Sequence, residues 1–210
     1  MYGVIAQQTA GTVIAVTGAS IDFINEVYTI DGVGYAASDI IDKPGRVGAS
    51  GLEILDDDAD GVVEAIGDLQ AAILTAHWTI VIEYEVLDPS AGFSTVLSMK
   101  DDESSQTFEV YSSDSDLEAY DNNGDDIREV AVTISSSAGI RRVAITRTTS
   151  ELSIAGDGGA ADTVTLPSVF IATSASFGGF VGGDSFEGCF IRTLDIMAPV
   201  DAAELPGLSA

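Results

Sequence analysis

The chain predicts a mainly β domain, an antiparallel sandwich, and three observations carry that expectation. From Trp78 onward, short runs with apolar and polar residues in alternation follow one another at sandwich spacing. Turn formers separate them: Asp88-Pro89, Asp101-Asp102, Asn122-Asn123-Gly124, Gly156–Gly159 and Gly178–Gly183. Only one stretch, 62–77, has helical spacing, and with no helices alternating between the strands a parallel α/β sheet is excluded. At 210 residues and 46% hydrophobic content, the chain can bury one substantial core.

In chain order, residues 1–18 contain two β-prone pieces around Ala10-Gly11. They read as an N-terminal arm, for anchoring or oligomerisation, ahead of a domain spanning 19–210; an edge strand of the domain's own sheet fits the same residues. Val27–Ile30 and Val33–Tyr35 flank Asp31-Gly32, a favoured two-residue hairpin turn. Ser38 is placed to cap a short turn over Asp39–Ile41, which Lys43-Pro44-Gly45 ends. Val62, Val63, Ile66, Leu69, Ile73 and Leu74 predict a helix over 62–77, with Asp60 as its cap. In Thr79–Leu87, Ile80, Ile82, Tyr84 and Val86 share one face. Further strands are expected at 94–100, 106–112, 116–120, 127–135, 140–147, 150–155, 163–172 and 186–197. A short acidic helical turn packing Leu205 and Leu208 follows.

Charge removes several functional classes. Eight Lys and Arg against 34 Asp and Glu give a formal charge of −26. Phosphate contacts need clustered basic residues. The only basic group is Arg141, Arg142 and Arg147, and on a strand Arg142 faces away from the other two. Nucleic acid and anionic membrane surfaces are therefore not expected partners. The apolar N-terminus lacks a basic leading region and is interrupted at Gln7, Gln8 and Thr9, so neither a signal peptide nor a membrane span is expected there. Cys189 is the single cysteine, which rules out an intrachain disulfide.

The closing segment Ser185–Met197 followed by Asp201-Ala-Ala-Glu-Leu205 resembles the end of concanavalin A-like jelly-roll domains, the laminin-G, lectin and glucanase superfamily. So do the order Asp22-Phe23, Tyr28–Val33, Ser38–Ile41, and the strand pair Arg141–Arg147 and Ser150–Ala155 ending at Gly156-Asp157-Gly158. The form they resemble is the one found in structural proteins of tailed bacteriophages, over residues 20–209. The resemblance implies an antiparallel jelly-roll β-sandwich with one short helix and a non-enzymatic virion structural role. It would be a head-decoration or spike protein, or a tail-associated one, binding host-surface glycans. The expected partners are other virion proteins, reached through residues 1–18, and further copies of the chain, a trimer among the candidates; the expected location is the virion.

Four residue groups are candidates for chemistry. Asp56, Asp58 and Asp60 before Gly61 repeat the first half of a calcium loop, since calcium takes about 6–8 hard oxygens and alternate carboxylates converge on a tight turn. Position twelve of that loop is Gly67 rather than Glu, and a solvated acidic turn fits the same residues. Asp121, Asn123 and Asp125 offer alternate oxygens as well, around an Asn-Gly that also makes a plain hairpin turn. Glu83-x-Glu85-x-x-Asp88 parallels the strand acids of concanavalin-like glucanases, with Asp88 where those carry a glutamate. Retaining glycosidases need carboxyls about 5–5.5 Å apart. Tyr111, Tyr120 and Phe180 are the candidate ligand-binding aromatics, for stacking against a sugar. Nucleophile triads are set aside, because His77 is the only histidine. Beside the virion reading stand a calcium-dependent carbohydrate-binding module and a glycoside hydrolase using Glu83, Glu85 and Asp88.

Overall fold

The computed structural model describes residues 18–55, 62–75, 77–87, 94–101, 106–112, 116–122, 127–134, 138–167, 172–178 and 189–210. Among them, two antiparallel sheets pack face to face. The larger runs from β14 (Asp162–Thr165) through β13 (Glu151–Gly156), β12 (Gly139–Arg147), β7 (Trp78–Val86), β16 (Cys189–Met197), β1 (Ala19–Asp22) and β2 (Val27–Ile30) to β3 (Val33–Tyr35). Beyond β16, end on to β1, lie β5 (Gly51–Ile54) and β4 (Val47–Gly48). The smaller sheet runs β11 (Ile127–Thr133), β10 (Asp116–Asn122), β9 (Thr107–Ser112), β8 (Ser94–Lys100), β15 (Ser174–Phe177) and β6 (Val63–Glu64). The predicted mainly β sandwich is the observed architecture.

Alternation explains which side of each strand faces inward. Ile80, Ile82, Tyr84 and Val86 of β7 are all buried between the sheets, as their spacing predicts. Trp78 from the larger sheet meets Phe108 of β9 edge to face, with centroids 5.3 Å apart. Phe23 meets Phe177 of β15 in the same manner at 6.3 Å. A polar contact also crosses the core: Arg147 Nε donates to Asp121 Oδ2 at 2.7 Å, with side-chain exposures of 3% and 1%. The Arg147 guanidinium carbon lies 5.9 Å from the Phe108 ring centroid.

β16 is the pivot of the larger sheet. One edge pairs with β7; along the other, Cys189–Ile191 pair with β5, and Thr193–Ile196 with β1. Its register against β7 slips between Ile191 and Thr193, so Arg192 is the extra residue of a bulge. Gly51 lies against that bulge at φ +116, and a Cβ there would stand 2.4 Å from the Ile191 carbonyl oxygen. The position therefore requires glycine.

The predicted helix over 62–77 is corrected at its first turn. Val63–Glu64 form β6, Ala65 bridges Ile41, and the helix α2 begins only at Gly67, spanning Gly67–Ile73. β-branched Val62 and Val63 favour an extended backbone, and Glu64 N–H donates to Asp42 Oδ1 at 2.7 Å, fixing the strand. Gly67 then turns with φ +58, where a Cβ would press on the Asp39 carbonyl oxygen at 2.8 Å. Among the described residues, two further short α-helices occur, α1 (Ala37–Ile40) and α3 (Leu205–Leu208). Ala36, rather than Ser38, is the residue preceding α1, and its N–H donates to Asp39 Oδ2 at 3.0 Å. Of the expected strand 163–172 only the start is observed as strand: β14 ends at Thr165 ahead of Pro167, which has no N–H for a ladder, residues 168–171 lie outside the described residues, and β15 begins at Ser174 in the other sheet. As predicted, the C-terminal turn packs inward. Leu205 is fully buried against Val81, Ala144 and Ala155 on the outer side of the larger sheet, with Leu208 beside it. No described helix is long and apolar enough to cross a membrane. Of the expected arm 1–18, residues 1–17 lie outside the described residues.

Candidate functional site

The sequence-predicted groups fare differently. Asp56, Asp58 and Asp60 lie outside the described residues, as do Asp88, Asn123, Asp125 and Phe180. Asp121 does not sit on a turn: it is the interior partner of Arg147. Burial raises its carboxyl above the usual carboxylate range, and Arg147 only partly offsets that. Among the described residues no group of three acidic, His or Cys side chains is placed to hold a metal ion.

Glu83 and Glu85 share the outer side of β7, as their spacing requires. One guanidinium spans both: Arg192 donates through Nε to Glu83 Oε1 at 3.0 Å and through a terminal nitrogen to Glu85 Oε2 at 3.2 Å. The bulge in β16 swings Arg192 to this side, where all three side chains are a quarter to a third exposed.

Tyr111 and Tyr120 do come together. Their strands, β9 and β10, are adjacent, and the register sets Tyr120 opposite Glu109 and Tyr111 opposite Glu118. Both tyrosines thus lie on the outer face of the smaller sheet, diagonal to each other. Their rings stack with centroids 4.8 Å apart and planes 26° from parallel. A hydrogen-bond chain runs along the top of the stack: Tyr111 hydroxyl to Tyr120 hydroxyl, and Tyr120 hydroxyl to Glu118 Oε2 at 3.1 Å. On the far side of Tyr120, Glu129 of β11 stands directly opposite it.

Sequence reasoning missed the acids of this face. Glu109 points outward between Tyr120 and Ser98 of β8, yet is only 4% exposed. Burial alone pushes its carboxyl up to about 7. Burial also raises Glu118, against the pull of the Tyr120 hydroxyl bond. For Tyr120, burial, followed by the surrounding acids, pushes the phenol up to about 12, and Tyr111 is raised as well, by burial first and its bond to Tyr120 second. Thr95 of β8, opposite Tyr111, is 2% exposed, and among the described residues its hydroxyl has no hydrogen-bond partner. The available signal was the period-2 pattern Glu109-x-Tyr111 and Glu118-x-Tyr120, which puts an acid and an aromatic on one face of each strand. Such a face can stack against a sugar ring while its carboxylates accept from sugar hydroxyls.

No protein-family model matches the chain. No curated protein matches it either. Solved structures do. The CBM40 domain of the Ruminococcus gnavus IT-sialidase, bound to α2,6-sialyllactose, matches with a TM-score of 0.60 at 14% identity, covering 77% of this chain and 97% of that one. The leech intramolecular trans-sialidase matches with a TM-score of 0.54 at 12% identity, over 75% of this chain and 27% of that one. The binding domain of botulinum neurotoxin serotype D/C follows at 0.52 and 12%, over 71% of this chain and 40% of that one. At such identities the likeness speaks for the fold: this chain is a β-sandwich of the kind built by carbohydrate-binding domains.

Proposed function

We propose that the chain is a non-enzymatic glycan-binding protein of a bacteriophage particle, a head decoration or spike or a tail-associated protein, that holds host-surface sugars on Tyr111 and Tyr120. The observation that carries the binding role is the stacked tyrosine pair on the outer face of the smaller sheet, with Glu109, Glu118 and Glu129 beside it. A half-buried aromatic pair flanked by acceptors on the outer face of a sheet is the chemistry sugar recognition uses. Similar folds that carry sialyllactose support the reading. The virion setting is supported by the sequence resemblance and by a charge of −26, which keeps the chain off phage DNA. Residues 1–18 would attach it to the particle or join its copies.

The non-enzymatic reading is supported by Glu83 and Glu85, the described members of the candidate glycosidase set, which are both engaged by Arg192. A calcium-dependent stand-alone module is the second reading, favoured by Asp56-x-Asp58-x-Asp60-Gly61.

Glycan-array binding tests the proposal, with Tyr120→Ala alongside. Loss of the array signal in the variant supports the platform; binding unchanged by Tyr120→Ala overturns it, and signal abolished by a chelator moves weight to the calcium-dependent module. Solution mass of the full chain and of a chain lacking residues 1–18 tests the setting. An assembly that falls to monomers without the arm supports a particle component.

A further inference from the structure

We infer that the tyrosine face takes a cationic sugar, the protonated amine of a hexosamine lodged against Glu109 with its ring over Tyr111 and Tyr120. The inference rests on the glycan-binding reading and narrows it to one ligand class, distinct from the anionic sialosides carried by similar folds.

The placement of every cation in the chain supports it. Of the eight Lys and Arg, Arg141 and Arg147 point into the sandwich, and Arg192 and Arg142 lie on the outer side of the larger sheet. Lys43 donates to the Val62 carbonyl at 2.6 Å, and Arg46 lies in the short turn Pro44–Arg46. Arg128 is opposite Asp121, on the inward side of β11. Lys100 alone shares the tyrosine face, one row beyond Glu109 and opposite Thr107.

The groups facing Glu109 are therefore Tyr111, Tyr120 and Glu118 from its own hairpin, Glu129 beyond Tyr120, and Ser98 and Lys100 from β8. Glu64 lies farther along the same row, past Ser176. Burial is what raises the Glu109 carboxyl, and Lys100 stands one row away from it, opposite Thr107, with Ser98 directly opposite Glu109. A buried carboxylate lacking a counter-charge is costly to maintain. An ammonium supplied by a ligand removes that cost, gains a charge-assisted bond, and adds attraction to the tyrosine faces. A sialic acid carboxylate would instead meet Glu109, Glu118 and Glu129. Thr95, opposite Tyr111, keeps a buried hydroxyl without a hydrogen-bond partner among the described residues, a polar group left over beside the same face.

Titration calorimetry of the full chain at pH 7 in a chelator tests this with short glucosamine oligomers, the matching N-acetylated oligomers, and sialyllactose. Short oligomers are used because a strongly anionic protein attracts any long polycation. The expected result is binding to the amine series tighter than to the acetylated series by about tenfold, equivalent to about 1.4 kcal/mol. Glu109→Gln should erase that preference, while Glu53→Gln, an exposed acid on the larger sheet, should leave it. Acetylation alters the ligand alone, so the comparison survives if Glu109→Gln fails to fold. Equal binding of the two series keeps the glycan reading and overturns this one, as does tighter binding of sialyllactose or an equal loss in Glu53→Gln. No binding by any of the three overturns both.

Discussion

The two sheets handle their acids in opposite ways. On the larger sheet, Glu83 and Glu85 are paired with Arg192, and between the sheets Asp121 is paired with Arg147. On the smaller sheet, Glu109 and Glu118 stand among tyrosines and other acids, with Lys100 one row beyond Glu109, and both carboxyls are driven upward by burial. With only eight basic residues in the chain, each arginine spent on a carboxylate marks one that the fold needs quiet. The contrast separates acids that a cation ties to the fold from those, left among aromatics, on which the proposed glycan site rests.

Substitutions on each side can break that contrast. The largest effect is expected at the interior pair. Asp121→Ala strands a buried guanidinium and should cost about 3–5 kcal/mol in urea unfolding, whereas replacing both partners by apolar residues of similar size should recover most of it. A loss below about 1 kcal/mol would remove the pair from the fold's supports. Next comes Tyr120→Ala, which should weaken glycan binding by about tenfold with little change in stability.

Glu109→Gln should move the other way in stability. Its carboxyl titrates near 7 in the folded chain against an ordinary 4.5. The folded state therefore holds the extra proton between those values, and this contribution to stability, complete below 4.5, is lost as pH rises through 7. The variant should melt higher than the parent at pH 8 by about 2–4 °C, if about 1 kcal/mol is regained. That gain should vanish by pH 4. An unchanged melting temperature at pH 8 would show that Glu109 is not held at a cost. The smallest effect belongs to Glu85→Gln: its partly exposed bond to Arg192 is worth under about 1 kcal/mol, and a larger loss would give the Arg192 bulge more weight than its exposure implies.

Much of the sandwich was legible because alternation and turn residues are local. β7 was readable residue by residue, and the Asp31-Gly32 hairpin between β2 and β3 formed as its turn chemistry predicts. The failures come from pairing between distant segments. Val62 and Val63 fit a helical stripe, but Phe177 and Asp42, far away in the chain, hold this segment extended. In β16 the inward residues Cys189, Ile191, Leu194 and Ile196 skip a step at Arg192, a gap that betrays a bulge only once the strand is known. The site divides similarly. Tyr111 and Tyr120 were nominated as candidate ligand-binding aromatics, but their stacking depends on the β9–β10 register, and Glu109 entered only when that register set it beside Tyr120. Asp121 shows the reverse: its sequence neighbours suggested a metal turn, while its strand turned it inward toward Arg147.

The position of β16 bears on how the chain is made. It is the last of the described strands in chain order, yet it separates β7 from β1 and β5. Until residues 189–197 have left the ribosome, the strands on either side expose unpaired edges, which are templates for sticking to other chains. The fold closes by bringing residue 19 to residue 196, a loop nearly as long as the domain. Such a closure slows folding. A cell producing this protein must shield an open sheet throughout synthesis, and fragments cut short of β16 should gather in inclusion bodies rather than fold.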